Sequence, residues 1–195
     1  MTTLVMFSGG LDSTAMLVKL LEQSEAPLRV HHIRMANREH RAEAEQAAVE
    51  RIVAWCASRY RPFRYSESAL DFRELEAIPI DYVCIAFVAC QVAIDTPGCN
   101  RVAVAALARD TDIENRSARQ RRLFESLYDC YRARKLGEER VDWIYPVYHA
   151  AKRELADSLP RELLDMTWSC RRPLRDGDNW RACGACKACL ARAGI

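Results

Sequence analysis

The chain has 195 residues, half of them hydrophobic, which is the size of one ordinary domain and leaves no room for a second catalytic domain. The formal net charge is +2 with both signs interspersed, so the overall charge gives no reason to expect a nucleic-acid or membrane partner. No apolar stretch is long enough to span a bilayer, and the first residues lack the basic region and cleavage site of a signal peptide, so we expect a cytoplasmic protein.

Strand and helix patterns alternate along the chain. The predicted strands cover residues 3–7, 28–35, 63–66, 101–105 and 143–147. The predicted helices cover residues 12–22, 39–59, 81–95 and 115–135, and a short helix begins near Lys152. This order is typical of an α/β fold with a Rossmann-like parallel sheet that helices cover on both faces.

The first predicted strand leads into a small polar turn, Ser8-Gly-Gly-Leu-Asp-Ser-Thr14. Gly9 and Gly10 have no Cβ, so the backbone can approach an anion closely while free N–H groups of the next helix point at it. Asp12 suits either a helix cap or a ligand of Mg²⁺ beside bound polyphosphate. The turn is not a Walker A loop, because no lysine follows the glycines. An ordinary glycine-rich turn is the alternative, but the serines, the aspartate and the preceding strand together favour nucleotide binding.

The C-terminal region carries a second pattern, made of four cysteines. Cys170 stands alone, and Cys183, Cys186 and Cys189 follow with CxxC spacing. Such spacing lets thiolates bind one ion, and Cys170 can complete a tetrahedral set, so we predict a structural zinc site. An iron–sulfur cluster and unligated thiols are the alternatives. The remaining cysteines include Cys56, Cys84 and Cys90, which we expect to be inert core thiols.

The sequence does not decide the role of two further groups of residues. The densest basic run contains Arg116, Arg119, Arg121 and Arg122, and Arg132 and Arg134 extend it. A solvated helix face is favoured over nucleic-acid binding, because no aromatic residues are interleaved with these arginines. His31 and His32 end the second predicted strand, where they would contact adenosine or simply pack.

The loop and the cysteine pattern together resemble a known family. The SGG-x-DS loop is similar to the PP-loop of ATP pyrophosphatases, and T-W-S-C…C-G-x-C-x-x-C resembles the 7-cyano-7-deazaguanine synthase (QueC) family. His40-Arg-Ala-Glu43 resembles the H-R-x-E segment of that family, and Lys152 and Arg192 fall where it has a lysine and an arginine. The resemblance implies a PP-loop domain over residues 1–165 and a zinc-binding segment over 166–195 packed on it.

The chemistry that the resemblance implies is adenylation of 7-carboxy-7-deazaguanine, followed by attack of ammonia to give the amide and then the nitrile, a step of queuosine biosynthesis. ATP, Mg²⁺ and Zn²⁺ are the implied cofactors, AMP and pyrophosphate are released, and a homodimer is a family expectation. Asp12, Ser13 and Lys152 are the candidate catalytic residues. Arg41 and Arg192 are candidates for phosphate or carboxylate contacts. The candidate nucleotide-binding residues are Phe7, Ser8, Gly9, Gly10, Leu11, Asp12, Ser13 and Thr14.

The sequence departs from that family on the substrate side. Where the family has P-G-R-N, this chain has Pro79-Ile-Asp-Tyr82, and Ala36-Asn37 replaces a Tyr-Gly pair. Three alternatives therefore stay open: an enzyme that stops at the amide, a tRNA-thiolating PP-loop enzyme, and a non-catalytic scaffold that senses ATP. Direct nucleic-acid binding is not expected, since the chain has no room for an added RNA-binding domain.

Overall fold

A computed structural model describes residues 1–108, 113–132 and 140–195. Five parallel strands form one sheet in the order β3-β2-β1-β4-β5: β1 (Thr2–Phe7), β2 (Leu28–Ala36), β3 (Arg64–Asp71), β4 (Cys99–Ala103) and β5 (Asp142–Ile144). The helices are α1 (Leu11–Gln23), α2 (Ala42–Arg59), α3 (Asp81–Ile94), α4 (Ile113–Arg132), α5 (Lys152–Asp157), α6 (Arg161–Met166) and α7 (Lys187–Ala193). The predicted α/β parallel-sheet fold is confirmed.

The alternation of side chains along β1 divides the core between the two faces of the sheet. Val5 and Phe7 pack on one face with apolar residues of α1, α2 and α6. Leu4 and Met6 pack on the other face with α3 and α4, where Phe124 is completely buried. Because both faces are covered, β1 is apolar from Leu4 to Phe7.

The chain order places the polar loop at the switch point of the sheet. β1 pairs with β2 on one side and with β4 on the other, so the connections from these strands diverge at their carboxyl ends. A crevice forms at such a point in open α/β sheets, and ligands bind there. The loop after β1 therefore lies where this fold binds ligands.

Several element boundaries differ from the sequence predictions, among them those of β4 and β5, which end at Ala103 and Ile144 and not at residues 105 and 147. The predicted helix from residue 39 begins only at Ala42, because the Asn37 side chain accepts the Glu39 N–H at 2.9 Å and His40 has a φ of 53°. The third strand extends to Asp71 through its pairing with β2. His31 and His32 lie inside β2 and do not end it, since the strand continues to Ala36. Residues 133–135 of the predicted fourth helix lie outside the described residues.

The region after residue 160 contains structure that the sequence patterns did not predict. Two short helices, α6 and α7, flank an antiparallel hairpin of β6 (Leu174–Asp176) and β7 (Asn179–Arg181). The Trp168 N–H donates to the Gly9 carbonyl at 2.9 Å, which joins this region to the loop after β1.

No helix among the described residues is long and apolar enough to cross a membrane.

Candidate nucleotide-binding site and metal centre

The loop after β1 is held open by its own hydrogen bonds. Gly10 is the extended residue that precedes α1, and its carbonyl accepts from the Ser13 hydroxyl at 3.1 Å and the Thr14 hydroxyl at 2.9 Å. The Ser8 and Ser13 hydroxyl oxygens are 3.0 Å apart, and the Ser8 N–H donates to Ser13 Oγ at 3.3 Å. This arrangement places two hydroxyl groups beside the N-terminus of α1, where backbone N–H groups favour an anion.

Gly9 has a conformation and surroundings that only glycine tolerates. Its φ is 73°, and a Cβ built there would lie 2.8 Å from Val49 Cγ2. Gly9 and Thr14 do not line the neighbouring cavities; Thr14 is completely buried. Phe7 is 3% exposed and contributes its backbone to the site, since its carbonyl accepts from His32.

A first cavity of about 400 Å³, which we call the phosphate cavity, opens beside this loop. The structure brings Lys152, at the start of α5, to the same cavity as Asp12 and Ser13. Lys152 has no ion pair or hydrogen bond to any residue that the structure describes, whereas Arg161 is paired with Asp165 at 3.1 Å. The polar residues that line the cavity are Ser8, Asp12, Ser13, Lys152, Arg161, Asp165, Ser169 and Arg192. Two hydroxyls, a helix N-terminus and an unpaired ammonium together suit a polyphosphate.

Arg192 anchors α7 to the segment before it. Its guanidinium donates to the Thr167 and Leu164 carbonyl oxygens, both at 2.8 Å, and to the Thr167 hydroxyl at 2.7 Å. The guanidinium therefore holds one wall of the phosphate cavity in place, a structural role that the sequence had not suggested.

Arg41 lies in a partly buried ionic network. Its guanidinium is 2.7 Å from a Glu45 carboxylate oxygen, 2.9 Å from Asp81 and 2.8 Å from Glu39. Arg171 joins the same network through two hydrogen bonds to Glu39, at 2.8 and 2.9 Å. Burial raises the pKa of Glu45, and the charge of Arg41 opposes that effect. The carboxylates that surround Arg41 make it a link between α2, α3 and the region after Cys170, not a free anion contact.

A second cavity of about 690 Å³, which we call the acceptor cavity, lies between α3 and α4 and shares Asp12 with the phosphate cavity. Arg116 and Arg119 line it, and neither guanidinium has an ion pair or hydrogen bond among the described residues. Arg121 faces the other side of α4, where it donates to the Trp143 carbonyl at 3.2 Å. The basic run is thus divided between two faces. Arg134 and the side chain of Arg132 lie outside the described residues.

A third cavity, of about 120 Å³, lies at β1 and β2 and shares Ser8 and Ser13 with the phosphate cavity. His31 and His32 line it, and each is 2% exposed. Burial lowers the pKa of His31 to about 4 and also lowers the pKa of His32. Both rings are therefore neutral near pH 7.

The four cysteines of the predicted metal site come together. The sulfur atoms of Cys170, Cys183, Cys186 and Cys189 all lie within 4.8 Å of one another. Backbone N–H groups point at the sulfurs: Cys183 N–H donates to Cys170 Sγ and Cys186 N–H to Cys183 Sγ, both at 3.3 Å. Hydrogen bonds from the backbone N–H groups of Arg171 and Cys189 lower the pKa of Cys186 to about 6, which favours a thiolate.

The distances between the sulfur atoms can be compared with those expected for a zinc site. Four thiolates around one zinc, each with a Zn–S distance of about 2.3 Å, have sulfur–sulfur separations of about 3.8 Å. The separations here are 3.9 Å for Cys183 and Cys189 and 3.5 Å for Cys186 and Cys189. A cubane cluster binds each cysteine through a different iron atom and holds the sulfurs further apart. These two separations suit a single tetrahedral ion, and since all four sulfurs lie within 4.8 Å of one another, the four cysteines could hold a metal ion.

The cysteines outside this group lie away from the three cavities. Cys56, Cys84 and Cys90 are buried, and burial raises the pKa of each thiol. None of the described residues that line the phosphate, acceptor or third cavity is a cysteine.

No protein-family model matches the sequence, and no curated protein sequence matches it either. The structure is similar to that of the U34-tRNA thiolase NcsA from Methanococcus maripaludis, determined with its [4Fe-4S] cluster. The two proteins are 14% identical, with a TM-score of 0.56 over 98% of this chain and 62% of the thiolase. This chain thus spans less than two thirds of the thiolase's length. At this level of identity the likeness shows the α/β fold.

Proposed function

We propose that this protein is a PP-loop ATP pyrophosphatase, an enzyme that transfers AMP from ATP to an acceptor and releases pyrophosphate. The observation that supports this most is the convergence of Ser8, Ser13, the N-terminus of α1 and unpaired Lys152 on one cavity. These groups come from both ends of the domain, and all favour negative charge.

The geometry suggests how the residues assist the first step. The acceptor oxygen attacks the α-phosphorus of ATP, and the bond from that phosphorus to the bridging oxygen breaks. Charge then develops on the departing pyrophosphate, where the Ser8 and Ser13 hydroxyls and the Lys152 ammonium stabilise it. Asp12, which borders both the phosphate and acceptor cavities, is the residue suited to hold Mg²⁺. When bound, Mg²⁺ would neutralise part of the polyphosphate charge.

For the acceptor we propose a carboxylate on a planar heterocycle, 7-carboxy-7-deazaguanine in the first instance. A carboxylate resists ammonia because it is anionic and its oxygen leaves poorly, and adenylation removes both obstacles. Ammonia then attacks the acyl carbon, loses a proton, and AMP leaves to give the amide; adenylation of the amide oxygen would extend the sequence to the nitrile. The acceptor cavity supports this choice, because Arg116 and Arg119 offer unpaired guanidinium groups to a carboxylate.

A second candidate is sulfur transfer to tRNA, and the likeness in fold to a U34-tRNA thiolase favours it. Persulfide chemistry would require a reactive thiol beside the acceptor, yet no described residue lining the three cavities is a cysteine. Four converging thiolates also leave no open coordination position for sulfur delivery. The site chemistry therefore favours nitrogen transfer as the main proposal.

We further propose that the four cysteines hold zinc. Residues 166–195 would then be part of the same domain as the loop, cross-linked by the metal, and would line one side of the phosphate cavity. Zinc would cross-link Cys170 to the segment that carries Arg192, and so keep that residue and Ser169 at the phosphate cavity. The metal supplies structure at this position, since all four ligands come from the protein.

The experiment that tests the function is a mass-spectrometric assay of the purified protein with ATP, Mg²⁺, ammonium and 7-carboxy-7-deazaguanine. We expect AMP together with the amide or nitrile, and an Asp12→Asn variant should lower AMP formation by about a hundredfold. AMP that appears only with tRNA and a sulfur donor would support the thiolase. If no acceptor elicits AMP while ATP still binds, the protein is a scaffold that senses ATP and the enzymatic proposal is wrong.

A further inference from the structure

His31 and His32, which are adjacent on β2, differ in the hydrogen-bond partners of their ring nitrogens. His31 Nδ1 lies 2.9 Å from the Ser66 hydroxyl, and its Nε2 lies 3.1 Å from the Ser68 hydroxyl. His32 Nδ1 lies 2.9 Å from the Phe7 carbonyl oxygen, and its Nε2 has no partner among the described residues. A buried polar atom without a partner is rare in folded proteins and calls for an explanation.

The contact with Phe7 fixes which nitrogen of His32 carries the proton. A carbonyl oxygen can only accept, so Nδ1 must donate its hydrogen to Phe7. The ring is neutral near pH 7, because burial lowers its pKa. Nε2 therefore holds a lone pair, and its missing partner must be a hydrogen-bond donor.

The position of His32 indicates where that donor would come from. His32 pairs in register with Phe7, the residue before Ser8, and lines the third cavity together with Ser8 and Ser13. Apolar residues, among them Met6, Met35, Ile85 and Val104, form part of the cavity wall, and the ion-paired residues Arg41, Glu45 and Asp81 form another part. An anion bound at the two serines would thus continue into a small space that His32 Nε2 borders, while the carboxylates of Glu45 and Asp81 on the same lining are already paired with Arg41.

We propose that His32 Nε2 accepts a hydrogen bond from the nucleoside part of the bound nucleotide, and so selects which nucleotide enters. Two donors share this chemistry, the N6 amino group of adenine and a hydroxyl of the ribose. The inference rests on the proposed binding of ATP phosphates at Ser8 and Ser13. His32 is in this sense a specificity-determining residue, separate from the groups that act on the phosphates.

The test measures dissociation constants by calorimetry for ATP, ITP, 2′-deoxy-ATP and 3′-deoxy-ATP, with Mg²⁺ and without acceptor. The wild-type protein should bind ATP about tenfold more tightly than the analogue that lacks the relevant donor. In ITP an oxygen replaces the N6 amino group. Two acceptors would then face each other, the oxygen and His32 Nε2, and no hydrogen bond would form. The protein variants are His32→Phe, which removes the acceptor, and His32→Gln, whose amide can rotate to donate or accept.

His32→Phe should bring the affected affinity ratio close to one, whereas His32→Gln should do so for ITP but keep a preference over a deoxy analogue, because its amide oxygen can still accept from a ribose hydroxyl. Circular dichroism with thermal unfolding would show that both variants fold. His149→Gln is the control: His149 is exposed and lines none of the three cavities, so this variant should leave the ratio unchanged. If His32→Phe loses the preference for ATP over ITP, the donor is the amino group of the base. If it loses the preference for ATP over a deoxy analogue, the donor is a ribose hydroxyl. If the wild-type protein binds all four nucleotides equally, or His32→Phe keeps its preference, the inference is wrong while ATP binding stands. If ATP does not bind to the wild type, the proposed function fails as well.

Discussion

At the scale of single residues, Gly9 shows how closely the loop backbone approaches α2. We expect Gly9→Ala to lower the free energy of unfolding by about 3 kcal/mol, since it combines a left-handed φ with overpacking against Val49. It should also weaken ATP binding. Urea unfolding and calorimetry measure these effects.

Gly98 provides the control for that substitution. Its φ is 66°, but a Cβ there would meet nothing within 4 Å. Gly98→Ala should therefore cost only the backbone strain, about 1 kcal/mol, and leave nucleotide affinity unchanged. Equal losses for the two variants would show that contact with Val49 does not matter.

Arg41 shows the cost of removing one partner from a buried ionic network. Arg41→Met leaves Glu45, whose side chain is only 16% exposed, without its closest cation. We expect a loss of about 3 kcal/mol in the free energy of unfolding at pH 7. Arg73→Met, which removes an ion pair to Asp71 at the surface, should have no measurable effect.

The same variant has a predictable pH dependence. Burial raises the folded-state pKa of Glu45 above its ordinary value, so the folded protein holds this proton more tightly than the unfolded chain. The stability contributed by that proton is present at low pH and is lost as the pH rises through the folded-state pKa. Loss of Arg41 raises the pKa further, and the stability gap to wild type should narrow between pH 7 and about pH 5. Urea unfolding at several pH values measures the gap; a constant gap would contradict this account.

At the scale of elements, we expect the region after residue 160 to depend on the proposed metal centre more than on its own secondary structure. Its helices α6 and α7 have six and seven residues, too few to be stable alone. Cys170→Ser should therefore lower both the metal content and the melting temperature, and chelation of the wild type should do the same. Elemental analysis distinguishes zinc from iron. Cys130→Ser, at an exposed cysteine outside the centre, is the control. A Cys170→Ser protein with full metal content would contradict the four-thiolate site.

Element boundaries also show what sequence patterns reveal and what they miss. The apolar alternation that positions β1 and β2 is local, and the sequence indicated both strands and the loop between β1 and α1. The start of α2 depends on the Asn37 side chain and on the left-handed His40, which hydrophobic periodicity does not register. The short elements after residue 160 have no periodic pattern long enough to be detected.

At the scale of the whole molecule, strand and helix order predicted the parallel sheet, and the cysteine spacing predicted which sulfurs meet. Neither indicated that Arg41 would be enclosed by carboxylates from α2 and α3, because Asp81 is forty positions away. Nor did the sequence show that the arginine run would divide between two faces of α4. Such features depend on tertiary contacts between distant segments, which a single sequence does not display.

The hydrogen bond from Trp168 to Gly9 joins segments made at very different times on the ribosome. Ser8 and Ser13 emerge early, whereas Lys152, Ser169 and Arg192, which complete the phosphate cavity, emerge much later. During synthesis the loop is therefore present before the other residues that line the phosphate cavity, so the cavity is not yet complete. Under the proposed function, the nucleotide stabilises the protein only after these late segments dock, and we expect the sheet of the nascent chain to fold without stabilisation by ATP.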